Sequence, residues 1–268
     1  MRDRLALFSC LVLLSTLLAG KLFAAENPLP FTPGEKLTFQ VRWSFIPAAK
    51  AVLEIHPVET LNGRRAYHFT MISRTHSLVD IFYKVRDRID SYTDAEMTHS
   101  LLYKKLQDGK RKRKVVVTFD WAKNLAQFSN FGQKRPPVSI FPGSFDPLSV
   151  FYAFRLYPLA VGKVLKVPVS DGKKCVIGKA HVLRKEEINF RGTIVDTFLV
   201  EPELEQVGGV FERSPKAKVK IWVSADNKRI PVKFESKVVV GSFVAELVSP
   251  SIPGRPVSTN KASAAQPN

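Results

Sequence analysis

Five histidines (His56, His68, His76, His99 and His181), two cysteines and 24 carboxylates are the residues of this 268-residue chain most able to do chemistry. No two histidines stand in an HExxH or HxH pair, and no Cys pair exists to complete a zinc site. No GxSxG elbow, phosphate loop or GxGxxG run occurs, so the motifs for acyl transfer, nucleotides and dinucleotides are missing. Cys175 sits in the alternating stretch Lys174-Cys175-Val176-Ile177, which reads as strand rather than as a nucleophile's niche. No metal site, cofactor or catalytic residue is expected, and enzymatic activity is left open.

Two charged groupings stand out. In the run Arg86-Asp87-Arg88-Ile89-Asp90, extended geometry puts Arg86, Arg88 and Asp90 on one face and Asp87 on the other, with Val85 and Ile89. An inward Asp87 needs a partner, because a bare buried carboxylate is costly. Arg155, the lone charge in an apolar helical segment, is the expected partner. The pair is either structural or a polar anchor in a ligand cavity. The second grouping is Lys104-Lys105-Leu106-Gln107-Asp108-Gly109-Lys110-Arg111-Lys112-Arg113-Lys114, which spans a predicted hairpin. Its cations either solvate and protect a sheet edge or meet anionic headgroups, lipopolysaccharide or acidic glycan, with Lys110, Arg111, Lys112, Arg113 and Lys114 as the patch. Nucleic acid is disfavoured, since no aromatic platform alternates with these cations.

The elements that hold these groups read as β almost throughout. Leu37, Phe39, Val41, Trp43 and Phe45 alternate with polar residues, the pattern of a half-buried strand. Tight turns are expected at Asn62-Gly63, Asp108-Gly109, Asp171-Gly172, Arg191-Gly192 and Asp226-Asn227, which spaces the strands as an antiparallel meander. Gly208-Gly209 reads as a bulge or bend. The exception is residues 146–157, where Asp146-Pro147 opens a helix that is apolar almost all round and Pro158 stops it. The expected fold is therefore mainly β: a curved antiparallel sheet, a half-barrel, wrapped around one buried central helix. Two halves, about 33–128 and 162–248, are joined by loop and helix 129–161 within a single domain, 26–249. The tail 250–268 is too polar to pack.

Composition is globular, 45% apolar and 24% charged, with 41 Lys+Arg against 24 Asp+Glu. Residues 1–25 have a basic start, an apolar run and small residues at Ala24 and Ala25, the layout of a secretory signal peptide cut near that point. Phe8 before Cys10 is wrong for lipoprotein processing. Removing residues 1–25 takes away three basic residues and one acidic one and leaves a net charge of +15. No later run reaches transmembrane length, so a periplasmic location is expected.

The stretches Phe31-Thr32-Pro33-Gly34-Glu35-Lys36-Leu37, Tyr83-Lys84-Val85-Arg86-Asp87-Arg88-Ile89 and Asp146-Pro147-Leu148-Ser149 resemble one bacterial family. So do Ile221-Trp222-Val223-Ser224-Ala225-Asp226, Arg229-Ile230-Pro231-Val232 and Gly241-Ser242. That family is the envelope proteins catalogued as domain of unknown function 3108, and the likeness runs over about residues 31–248. The closing module is also similar to lipoprotein carriers of the LolA type, which implies a half-barrel around helices with an apolar cavity. On this reading the protein binds or carries an amphipathic or lipid-like anionic ligand without catalysis. Phe39, Trp43, Tyr83, Asp87, Phe151, Arg155 and Trp222 are the candidate ligand-binding residues. An envelope assembly or structural factor with a protein partner is the alternative. A glycan hydrolase is a third, and would need two carboxylates about 5–9 Å apart in a cleft.

Overall fold

The computed structural model of the protein describes residues 28–110, 112–203, 218–238, 241–251 and 253. The segment 1–25, Arg111, the Gly208-Gly209 bend and nearly all of the tail expected to be unpacked lie outside the described residues. Among the described residues sixteen strands form one open antiparallel sheet. From one edge inward run β10 (Val138–Ser139), β8 (Leu125–Asn130), β7 (Lys112–Asp120), β6 (Ser100–Asp108), β5 (Arg86–Asp94), β4 (Arg64–Thr75), β2 (Ile46–Ile55) and β1 (Lys36–Trp43). β1 then pairs with β16 (Gly241–Ser251), followed by β15 (Pro231–Val238), β14 (Lys218–Ser224), β13 (Thr193–Pro202), β12 (Cys175–Phe190) and β11 (Val164–Ser170). Short β3 (Glu59–Leu61) pairs with β4, and β9 (Gln133–Lys134) with β8. The first and last long strands thus meet mid-sheet, in the ladder from Lys36↔Ser251 to Trp43↔Phe243.

The local chemistry explains the hairpins. Asn62 and Gly63 both take positive φ, 49° and 79°, the primed turn that matches strand twist. Arg191 and Gly192 do the same. Asp226 Oδ1 accepts from the Lys228 and Arg229 N–H groups and closes its turn. Pro47 lies inside β2, which begins at Ile46. The ladder shifts register between Val41 and Arg42, opposite Pro47, and such irregularities tolerate a missing N–H.

The sheet also bends back on itself. Ten strand spacings separate β7 from β12 along the order, about 48 Å if flat. Yet at Gly172, in the β11–β12 turn, an added β-carbon would lie 2.7 Å from Val117 Cγ1 on β7. Glycine at φ +77° fits where no side chain can. Lys173 Nζ stands 5.4 Å from the Phe128 ring centre on β8. The chain at Phe145 ties the same region, giving its N–H to Pro168 O and receiving Ser170 N–H.

Two helices are present among the described residues: α1 (Ser77–Tyr83), for which no helix was expected, and α2 (Ser149–Arg155). The expected helix 146–157 is shorter at both ends. Its first turn is shaped by Asp146, whose Oδ1 accepts from the Leu148 and Ser149 N–H groups at 2.8 and 3.0 Å. Asp146 Oδ2 accepts the hydroxyls of Ser91 (β5), Ser100 (β6) and Ser149, all at 2.6–2.7 Å. One fully buried carboxylate therefore pins the helix to two strands. Tyr152 stacks on Phe69 at 4.1 Å between centroids, inside a cluster with Ile89, Val117 and Phe128. A second cluster joins Leu37, Phe39, Leu199, Trp222, Val232 and Leu247. Among the described residues no helix is long and apolar enough to cross a membrane.

Candidate functional site

Between α2 and the β11–β15 part of the sheet lies an apolar cavity of about 110 Å³. Val150, Phe151 and Phe154 of the helix form one wall. Leu165, Val200, Val219 and Ile221 of the strands form the other. Gly178 on β12 keeps part of this wall low, since a β-carbon there would press within 3.0 Å of Val169 Cγ2. The polar groups on the lining are Arg155, Lys179, Glu203 and Arg229. Among the described residues that line it, Glu203 is the only carboxylate. The hydrogen bond from His181, at 2.7 Å, and then that from Lys179 hold its pKa below the ordinary value, so it stays ionised.

Arg155 is buried at this wall, but its partner is not the one expected. Its guanidinium meets Glu35 through both terminal nitrogens, at 2.5 and 3.0 Å, with the two side chains 6% and 1% exposed. Its Nε and Nη2 also donate to Lys228 O, at 3.0 and 2.9 Å, and Nη2 to Pro30 O at 3.1 Å. Asp87 instead accepts from Gln107 Nε2 at 2.7 Å. The separation has a simple cause. α2 is anchored to β5 at Ser91, and Asp87 lies four residues, about 13 Å, further along that strand. The strand's alternation shows in Ile89, which is buried while Arg88 and Asp90 pair on the outer surface.

The other candidates are scattered. Phe151 lines the cavity. Phe39 sits in the second cluster, edge-on to Phe234 at 5.4 Å, and Phe234 reaches the cavity. Trp222 faces away from it, with Nε1 donating to Glu186 at 2.8 Å and Lys233 over its ring at 4.5 Å. Trp43 and Tyr83 are exposed at one end of the sheet. The β6–β7 hairpin forms as expected, and Lys110, Lys112 and Lys114 are exposed, but none of them nor Arg113 lines the cavity. An anionic head beside that hairpin is thus not continuous with the cavity lining. Sequence reasoning missed Glu35 as a partner, Asp146 as a hub, and the strand residues of the cavity. Glu35 had a signal, a lone carboxylate in a proline- and glycine-marked entry to the first strand.

A separate group of rings lies on the outer surface. His68 stacks on Tyr92 at 4.3 Å between centroids, and the His56 ring lies tilted against His68 at 4.5 Å. His68 Nε2 is 3.0 Å from Asp90. Burial, then the His68 charge, lowers the His56 pKa. Among the described residues no group of three or more His, Cys, Asp or Glu is placed to hold a metal ion.

A family model described as "Protein of unknown function (DUF3108)" matches residues 38–248. Among solved structures, the chain is similar to a beta-barrel-like protein of domain of unknown function DUF1849 from Brucella abortus. That likeness has TM-score 0.54 and 9% identity, covering 84% of this chain and 100% of the other. A hypothetical protein from Chlamydia trachomatis aligns over 90% of this chain and 95% of its own, with 10% identity and TM-score 0.34. No curated protein matches the chain in sequence.

Proposed function

The chain belongs to this family of unknown function, and we propose that it is an exported, non-catalytic binding protein that takes an apolar or amphipathic ligand between α2 and the sheet. The observation behind this reading is the apolar cavity beside Phe151 and Phe154. On the same reading α2 is the plug of a half-barrel, and residues 1–25 direct export.

The volume sets the terms of binding. A dry apolar void of roughly 150 Å³ holds benzene, so about 110 Å³ takes a short stretch of acyl chain. About four methylenes at roughly 0.8 kcal/mol each give near 3 kcal/mol, too little for micromolar affinity once association costs are met. Phe151 and Phe154 are only half-buried. Tight binding therefore requires them to swing out and lengthen the cavity.

The test is a fluorescent fatty-acyl probe titrated into the protein. Saturable binding is expected, and Val200→Phe, which fills the void, should abolish it while a thermal melt shows the variant folded. Equal binding by the filled variant, or none by the wild type, would favour a packed envelope structural protein.

A further inference from the structure

The helix α1 is turned inside out. In a surface helix the apolar side chains face the protein and the charged ones face water. Here Asp80 turns toward the sheet, paired with Arg86 and accepting the Thr75 hydroxyl. Leu78, Ile81 and Phe82 are 76%, 76% and 80% exposed, and no residue of the helix is buried. This is not a lone irregularity. α1 leaves β4 beside the start of β2, fixed by the Thr75↔Ala49 pairing and by His76 N–H to Ala48 O. The adjacent β1–β2 turn projects Phe45, 86% exposed, flanked by Trp43 and Ile46. These four fully projecting side chains are the most exposed large apolar residues among those described, and all sit at one end of the sheet.

The basic hairpin occupies that same end. Asp108 and Lys112 close the β6–β7 ladder, and Lys110 N–H donates to Lys84 O at 2.9 Å, just past the end of α1. Gly109 permits this approach, since a β-carbon there would lie 2.2 Å from the Lys84 carbonyl oxygen. Lys110 Nζ stands 5.5 Å from the Tyr83 ring centre. Lys84, Lys110, Lys112 and Lys114 are exposed against one exposed carboxylate of the hairpin, Asp108, while Asp80, the carboxylate of the helix, is already matched by Arg86.

We propose that this end of the sheet, α1 with the β1–β2 turn and the β6–β7 hairpin, docks the protein on an anionic lipid bilayer surface. Exposed aromatic and aliphatic side chains ringed by lysines are what an interfacial segment uses, with apolar groups entering the headgroup boundary and cations meeting phosphates. The charge selects the occupant. An apolar protein partner would account for Leu78, Ile81, Phe82 and Phe45, but four flanking lysines at the same end call for a surface rich in negative charge. The apolar groups also project from separate tips rather than lining one groove, which suits a deformable interface. This docking surface is distinct from the cavity and does not depend on what the cavity holds.

The test is co-sedimentation of the full mature chain with phosphatidylcholine vesicles, with and without phosphatidylglycerol. Binding is expected only with the anionic lipid and should weaken as salt rises. The double variant Ile81→Asp/Phe82→Asp should lose at least tenfold in partitioning, and Lys110→Gln/Lys112→Gln/Lys114→Gln should bind weakly with a flattened salt dependence. Ile194→Asp, at an exposed apolar residue on β13, should bind like wild type. A thermal melt of each variant shows that it is folded. Retention of binding by the Ile81/Phe82 variant, or no binding of the wild type to either vesicle, overturns the proposal. If vesicles are ignored but crosslinking at Phe82 captures a single envelope protein, a protein interface replaces it. The acyl-probe assay, run on the same tip variants, should be unchanged.

Discussion

Replacing Glu35 by leucine should strand the charge of Arg155 inside the protein. Glu35 accepts two hydrogen bonds from that guanidinium, and both side chains are almost fully buried. Removing one member of such a pair costs about 3–5 kcal/mol, because the survivor keeps its desolvation without its countercharge. The structure places this case toward the lower end of that range. Arg155 would keep its hydrogen bonds to Lys228 O and Pro30 O and its place over the Phe31 ring at 5.3 Å. About 3 kcal/mol in a chain of this size lowers Tm by roughly 6–12 °C. The measurement is urea unfolding followed by circular dichroism, with the slope checked for constancy so that the midpoint reports stability. The double variant Glu35→Leu/Arg155→Met should recover part of the loss, since an apolar pair pays no ionic desolvation penalty although Lys228 O and Pro30 O lose their donor. A single Glu35→Leu variant within about 1 kcal/mol of wild type would refute the reasoning, because only a solvated pair is worth so little.

Asp146→Ala should destabilise by several kcal/mol, since three serine hydroxyls and two backbone N–H groups lose one acceptor at about 1–3 kcal/mol for each buried group left unpaired. Asp146→Asn should cost less, because its amide oxygen can still accept from Leu148 and Ser149. Urea midpoints in which alanine is the milder change would contradict the hub. Asp90 gives a pH dependence. Burial raises its pKa, but hydrogen bonds from His68 and then Arg88 outweigh that and hold it at about 2, below its ordinary 3.8. A depressed carboxylate stabilises the fold fully above about pH 4, and the contribution fades as pH falls toward 2. The stability gap between wild type and Asp90→Asn should therefore narrow over that window, and a gap constant with pH would disprove the linkage.

The parts of the fold legible in the sequence were those set by neighbours close along the chain. Asn62-Gly63 needs positive φ at two successive residues, so its hairpin follows from two letters. The alternation through Arg88, Ile89 and Asp90 fixes which side chains share a face, and the structure agrees. The partner of a buried charge is a different kind of fact. Arg155 finds Glu35 120 residues away because α2 ends beside the chain entering β1, and no spacing encodes that proximity. Asp146 was legible as a helix start through its effect on the next residues. Its role as acceptor for Ser91 and Ser100 depends on two strands lying across the helix entry. α1 was missed because seven residues, Ser77–Tyr83, are too few to show a period.

β1 shows where face and burial part company. Leu37, Phe39, Val41 and Trp43 alternate as a half-buried strand should, and the first two are almost fully buried. Trp43 ends β1 exposed, and Phe45, in the turn after Ser44 at φ +53°, projects into solvent, because the strand runs past the core beneath it. Nothing local tells Phe39 from Phe45. What separates them is that Phe39 has Phe234 and Leu247 against it, whereas Phe45 lies beyond the last paired residues, at a tip. The same large side chains that make a core where strands overlap therefore make an adhesive rim where they stop. A lysine-rich neighbouring hairpin then decides whether that rim suits a neutral or an anionic surface.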